Sequence, residues 1–286
     1  MQAIRSLLVV LDPEHAHSLA LARAKLIAGV TQAHLHLLMC DAHHDHSALL
    51  TLLKQQLHDD GFSASAEQAW EGSLEKTIIK VQQSEGCGLV IKQHRHESAL
   101  KRFLLTPNDW KLLRHCPCAV LMVKSERPWS HGVILAAVDV GNADGEHRQL
   151  HAAIVEHGFD IARLAKGDLH VIAAHPSPML SAPDPTFQRS ETIEARYREQ
   201  CLAFQAEFAI DHAHLHIAEG PADVLIPFTA QKLNAAVTVI GTVARTGVAG
   251  ALIGNTAEVV LDTLESDVLV LKTDAIVAHL EELARG

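Results

Sequence analysis

The sequence predicts an α/β fold built twice over, two tandem five-stranded parallel sheets covered by helices, and three observations predict it. Short apolar strands alternate with helical patterns along the whole chain. The segment from Phe103 to Lys124 superposes without a gap on the one ending at Lys272, a constant offset of 148 residues between Lys124 and Lys272. Each half also opens on an apolar strand that ends in aspartate, Leu8-Val9-Val10-Leu11-Asp12 and Leu135-Ala136-Ala137-Val138-Asp139. Self-similarity of this kind marks repeated units, and strands that alternate with helices imply a parallel sheet buried on both faces.

In the first half, a strand at 4–11 leads to a helix near 15–29, with Leu19, Leu21, Ala22, Leu26 and Ile27 on one side. A strand at 33–40 precedes a helix near 46–58 that carries Leu49, Leu50, Leu52, Leu53 and Leu57. A weak strand at 62–69, a helix near 73–84, a strand at 88–93, a helix at 107–115 and a strand at 118–123 complete the unit. The second half places strands near 133–138, 168–174, 212–218, 236–241 and 267–272.

The opening aspartates, Asp12 and Asp139, are only 127 residues apart, so the second half holds 21 extra residues. Pro176, Pro178, Pro183 and Pro185 crowd the segment after strand 168–174, and proline at that density marks a loop, so the insertion is placed at 176–189. The expected domains are 1–127 and 128–273, with an amphipathic helical tail over 274–286. The linker, Ser125 to Gly132, is short and polar.

Composition narrows the function. A net charge of −10 argues against nucleic acid and anionic membrane as partners, and 4% aromatic residues leave few stacking platforms. The N-terminal apolar run is too short for a signal segment or a membrane span. Five cysteines, odd in number and unevenly spread, read as reduced thiols. The expectation is a cytoplasmic protein.

Ligands on doubly wound sheets bind beyond the strand carboxyl ends, where the strand order reverses. Asp12, Cys40, Gln93 and His94 are expected at one crevice; Val138, Asp139, Ala174, Gly241 and Thr242 are expected at the other. The richest stretch is Val239 to Glu258, where a strand enters a loop bearing Gly241, Gly247, Gly250 and Gly254, and a helix leaves through Asn255 and Thr256. Glycines admit backbone N–H groups to an anion, and a helix N-terminus adds partial positive charge. It is neither a P-loop nor a dinucleotide fingerprint. The corresponding stretch of the first half, Lys92 to Arg102, has no glycine and reads as a degenerate phosphate loop or a solvated basic run carrying Lys92, Arg95, Lys101 and Arg102.

The 239–258 stretch resembles the Gly-x-x-Gly-x9-Gly-Ser/Thr loop of the universal stress protein family. Gly241 and Gly254 match, whereas Ala244 and Asn255 depart from the pattern. Over its length the chain is similar to tandem, two-domain members of that family, most clearly at Leu105-Thr106-Pro107-Asn108-Asp109-Trp110 and Gly254-Asn255-Thr256-Ala257-Glu258. The resemblance implies a Rossmann-like fold with strand order 3-2-1-4-5 and a stress-response role. It also implies an adenine nucleotide, ATP or AMP with Mg, in the second half. Asp139 would then meet the base, Gly241 and Gly254 would offer backbone, and Asn255, Thr256 and Arg245 would face phosphates. Neither a Ser-Gly-Gly-x-Asp-Ser loop nor a His-x-Gly-His signature is present, so no enzyme, or at most very slow ATP hydrolysis, is expected.

The alternative is a nucleotide-independent module that binds an apolar or lipid-like metabolite or other stress proteins, either as a monomer with pseudo-twofold symmetry or as a homodimer. The 21 histidines raise a metal reading. Asp12, Cys40, His43, His44 and His94 could supply N, S and O ligands for zinc, although their spacing fits no zinc motif and exposed loop histidines would look the same. His34 and His36, like His212, His214 and His216, alternate with apolar residues and are expected on the solvent face of strands. Cys116-Pro117-Cys118 is not a CxxC redox motif.

Overall fold

The computed structural model describes residues 1, 4–12, 18–94, 105–141, 144–179, 181–242 and 255–285, the side chains of 255, 256, 284 and 285 excepted. Among them the chain divides into two compact units, one of residues 1–126 with 275–285 and one of residues 127–242 with 255–274.

The first unit runs β1 (Ser6–Leu11), α1 (Leu19–Thr31), β2 (His34–Cys40), α2 (Ser47–Asp59), β3 (Ala64–Ala69), α3 (Leu74–Ser84), β4 (Leu89–Gln93), α4 (Pro107–His115) and β5 (Ala119–Val123). Its strands are parallel in the order β3-β2-β1-β4-β5. One row across the sheet reads Ala66, Leu37, Val9, Ile91 and Leu121, and the middle three and Leu121 are fully buried. Helices on both faces explain why these strands are continuous apolar runs rather than alternating ones.

Capping side chains fix the helix starts. Ser18 accepts from the Leu21 N–H at α1, and Ser73 does the same for Lys76 at α3. Thr106 and Asp109 form a reciprocal capping box ahead of Pro107 at α4. The expected helix at 15–29 begins at Leu19 among the described residues, since 13–17 lie outside them. Its buried face is Ala20, Arg23, Ala24, Ile27 and Ala28, whereas Leu26 is exposed. Small residues let the helix lie close on the sheet, which a count of leucines does not reveal.

The second unit runs β6 (Val133–Val138), α5 (Gly145–Ala165), β7 (Asp168–His175), α6 (Ser190–Phe208), β8 (Leu215–Glu219), α7 (Ala222–Lys232), β9 (Val237–Thr242), α8 (Asn255–Thr263) and β10 (Asp267–Lys272), and α9 (Asp274–Arg285) follows. The order is again 3-2-1-4-5, here β8-β7-β6-β9-β10, all parallel. The equivalent row is Leu215, Val171, Ala136, Val239 and Leu269. Extra length does not sit in the proline-rich segment alone, because α6 runs 19 residues against 13 for α2. Within that segment Pro185–Gln188 forms a 3-10 turn.

Two expectations about histidines are corrected. The strand expected at 212–218 begins only at Leu215, after a 3-10 turn over His212–His214. His170 lies between His214 and His216, with ring centroids 4.1 and 5.2 Å away, and its Nδ1 is 2.9 Å from His216 Nε2. Burial, then the neighbouring imidazoles, pushes the His170 pKa down to about 4. His36 is likewise buried rather than solvent-facing, because Ser65 and Glu67 of β3 reach its two ring nitrogens at 2.7 and 3.0 Å. All five cysteines are free thiols.

Candidate functional site

In the second unit, the carboxyl ends of β6, β7 and β9 open into a cleft of about 720 Å³. Its position follows from topology, since β6 is central and the chain leaves it toward β7 on one side and β9 on the other. Val138, Asp139, Ala174, Gly241 and Thr242 all line it, so five of the residues singled out in the sequence share one cavity. Arg245, Gly247 and Gly254 lie outside the described residues. Asn255 and Thr256 begin α8, whose Ala257 and Val260 are on the wall.

Leu150, Ile154, Ile226, Ile240 and Val260 give the cleft an aliphatic lining. Gly241 is required by that packing. A Cβ there would stand 2.6 Å from Leu150 Cδ2 and 2.9 Å from Ile154 Cδ1 of α5, so the missing side chain lets the helix close on β9. A Cβ on Gly141 would collide with the Tyr197 hydroxyl.

Five polar residues of the cleft were not singled out from the sequence: His147, His151, His175, Ser177 and Tyr197. His147 and His151 are four apart on α5, a spacing that puts both on one face. Tyr197 is the only tyrosine of the chain. Asp144 caps α5 by accepting from the His147 N–H at 2.9 Å, and its other oxygen lies 2.6 Å from His147 Nδ1. The backbone N–H of Asp139 donates to His151 Nε2 at 3.3 Å. Burial pushes the His151 pKa down to about 4 against the opposing pull of Asp139. Burial and the Asp139 charge together raise that of Tyr197, whose ring tilts against His175 at 5.6 Å. The cleft thus pairs an aliphatic floor with a carboxylate, imidazoles and hydroxyls, a lining suited to a small organic ligand held by a few polar contacts.

In the first unit the equivalent strand and helix positions carry charged and polar side chains that bond to one another. At the 148-residue offset, Lys92, Gln93, His94 and Asp109 correspond to Ile240, Gly241, Thr242 and Ala257. Lys92 Nζ donates to Asp109 Oδ1 at 2.7 Å, and His94 Nδ1 lies 2.9 Å from Asp109 Oδ2. That oxygen also accepts from the Thr106 N–H and hydroxyl. Burial alone would push the Asp109 carboxyl up, but the bonds from His94 and Lys92 outweigh it and hold the group well below the usual carboxylate range. Gln93 Oε1 accepts from the Leu19 N–H at the start of α1. Residues 95–104, which include the basic positions Arg95, Lys101 and Arg102, lie outside the described residues.

The metal set expected from the sequence does not assemble. His94 is engaged through Nδ1 with Asp109, and Cys40 is largely buried, with its thiol pushed up to about 12 by that burial. Among the described residues, the group of three or more donors that converges is Asp41, His44 and His46. Of the expected set of Asp12, Cys40, His43, His44 and His94, it includes only His44.

Two doubly wound parallel units, the second with a cleft at its strand switch point, define the class: a tandem α/β protein with Rossmann-like units. The family model described as "Universal stress protein family" matches residues 3–124 and 132–272, and the chain belongs to that family. It is 32% identical over 305 residues to universal stress protein E of Escherichia coli K12, covering 96% of each chain. It is 35% identical over 210 residues to the universal stress protein E homolog of Haemophilus influenzae, covering 71% of this chain and 68% of that one. A solved structure of a putative universal stress protein from Pseudomonas aeruginosa UCBPP-PA14 is similar at 66% identity and a TM-score of 0.92, over 100% of this chain and 99% of that one. No described helix is long and apolar enough to cross a membrane.

Proposed function

We propose that the protein is a cytoplasmic stress-response protein, with domains at 1–127 and 128–273 and a tail at 274–286. It binds one small molecule in the second-unit cleft without significant catalysis, and the ligand is an adenine nucleotide, ATP or AMP, with Mg²⁺ arriving on its phosphates. The observation that carries this reading is the contrast between the units. Where Lys92, His94 and Asp109 form a buried ionic cluster, Ile240, Thr242 and Ala257 line an open cleft. Asp139 is assigned to the base, Gly241 and Gly254 to backbone contact, and Asn255, Thr256 and Arg245 to the phosphates.

The aliphatic lining favours one second reading, an apolar metabolite in the same cleft. Native mass spectrometry of gently purified protein, with and without Mg-ATP or AMP, separates the two. One nucleotide mass per chain, lost when Ala174→Trp fills the cleft, supports the first reading. A co-purified apolar mass that the same variant expels supports the second. A nucleotide adduct that survives Ala174→Trp overturns the site assignment.

A further inference from the structure

We infer that Asp41 Oδ2, His44 Nδ1 and His46 Nε2, at the carboxyl end of β2, form a site for one divalent transition-metal cation such as zinc. The three donor atoms lie within 4.8 Å of one another. Asp41 Oδ2 is 3.1 Å from His44 Nδ1 and 2.8 Å from His46 Nε2. A cation about 2.0–2.2 Å from each donor sets neighbouring donors roughly 3.3 Å apart, so seating one requires movements of only a few tenths of an ångström at those two contacts. The imidazoles already aim their nitrogens at a single carboxylate oxygen, and a cation would replace those hydrogen bonds.

The loop that carries the donors is held from outside. Gln68 of β3 donates from Nε2 to the carbonyls of Asp41 and His44 at 3.0 and 2.6 Å. Its Oε1 accepts the His46 N–H at 2.8 Å. Asp41 Oδ1 accepts the N–H groups of His43 and His44, which leaves Oδ2 for the cation. Such outer bonds orient first-sphere ligands and sharpen their affinity. Two nitrogens and one oxygen suit zinc, cobalt or iron(II) better than the hard, all-oxygen preference of calcium or magnesium. Three protein ligands leave a coordination position open, and Asp41 and His44 face a groove of about 830 Å³ lined also by Lys54 and Trp70. The site lies in the first unit and is independent of the nucleotide reading.

The test is a titration of the tag-free, chelator-treated full chain with Co²⁺, read from its visible ligand-field bands, and with Zn²⁺ by calorimetry. One ion per chain is expected to bind with ligand-field absorption. Affinity should fall at least about tenfold in Asp41→Asn, His46→Gln and Gln68→Leu. His44 is 78% exposed, so His44→Gln leaves folding intact and should lose the site equally. His43→Gln, outside the set, should bind as the parent does. Binding unchanged in both Asp41→Asn and His44→Gln, or lost equally in His43→Gln, overturns the assignment.

Discussion

His151 Nε2 receives the backbone N–H of Asp139 at 3.3 Å, a bond that ties α5 to the carboxyl end of β6 at the cleft. The acceptor nitrogen must be unprotonated, and burial agrees, lowering the pKa from 6.5 to about 4. In the unfolded chain the same ring takes up a proton near 6.5, so the unfolded state binds more protons between the two values. Stability is therefore fully present above about 6.5 and is lost as pH falls toward 4. His170, with the same shift, acts in the same direction. Urea midpoints at pH 7.5 and pH 5 should show the drop, and His151→Gln should reduce it; a midpoint that rises on acidification would contradict the geometry.

Gly241 is packed against Leu150 and Ile154, so Gly241→Val should cost about 1–3 kcal/mol through overpacking. Trimming the clash with Leu150→Ala in the same chain should recover part of that loss, because the two sites are in contact and their effects do not add. Urea unfolding of the two single variants and the double reads the coupling directly.

The repeat offset was legible in the sequence to the residue: α4 at Pro107–His115 and α8 at Asn255–Thr263 occupy corresponding positions. The cleft was legible where it depends on the backbone, at Val138, Asp139, Ala174, Gly241 and Thr242, because strand ends follow from topology. What failed depended on which side chain a neighbouring element covers. His36 looked like a solvent-facing member of an alternating strand until Ser65 and Glu67 of β3 reached its ring. Tyr197 reaches the cleft from α6, which the sequence offered only as a stretch after a proline-rich loop. Asp41 was passed over for Cys40, its neighbour, because only the loop conformation shows which of the two turns toward His44 and His46.

Trp129 comes from the short polar linker yet is almost fully buried, and its Nε1 donates to Asp267 Oδ2 at 2.8 Å. Trp129→Ala should destabilise the second unit by about 3–5 kcal/mol. Trp129→Phe keeps most of the packing but removes the donor from a buried carboxylate, at a cost of about 1–3 kcal/mol. Equal losses in the two variants, measured by chemical denaturation, would show that the hydrogen bond rather than the ring's bulk anchors the linker.

The cluster of the first unit makes a sharper prediction, because its counterpart exists in the same chain. Asp109 is fully buried and bonded to Lys92 and His94, so Asp109→Ala strands the Lys92 ammonium and should cost about 3–5 kcal/mol. Replacing all three groups by the residues that the second unit carries, Lys92→Ile, His94→Thr and Asp109→Ala, removes the charges together. No ion is then left without a partner, and apolar replacement of a buried ionic group is often neutral. A residual cost of about 1 kcal/mol remains, since Asp109 also serves the capping box at α4. The triple variant should therefore be more stable than the single Asp109→Ala variant, against the ordinary expectation that substitutions accumulate. Denaturant melts decide it: a triple variant weaker than the single one would mean that Lys92 and His94 stabilise the unit through contacts other than Asp109.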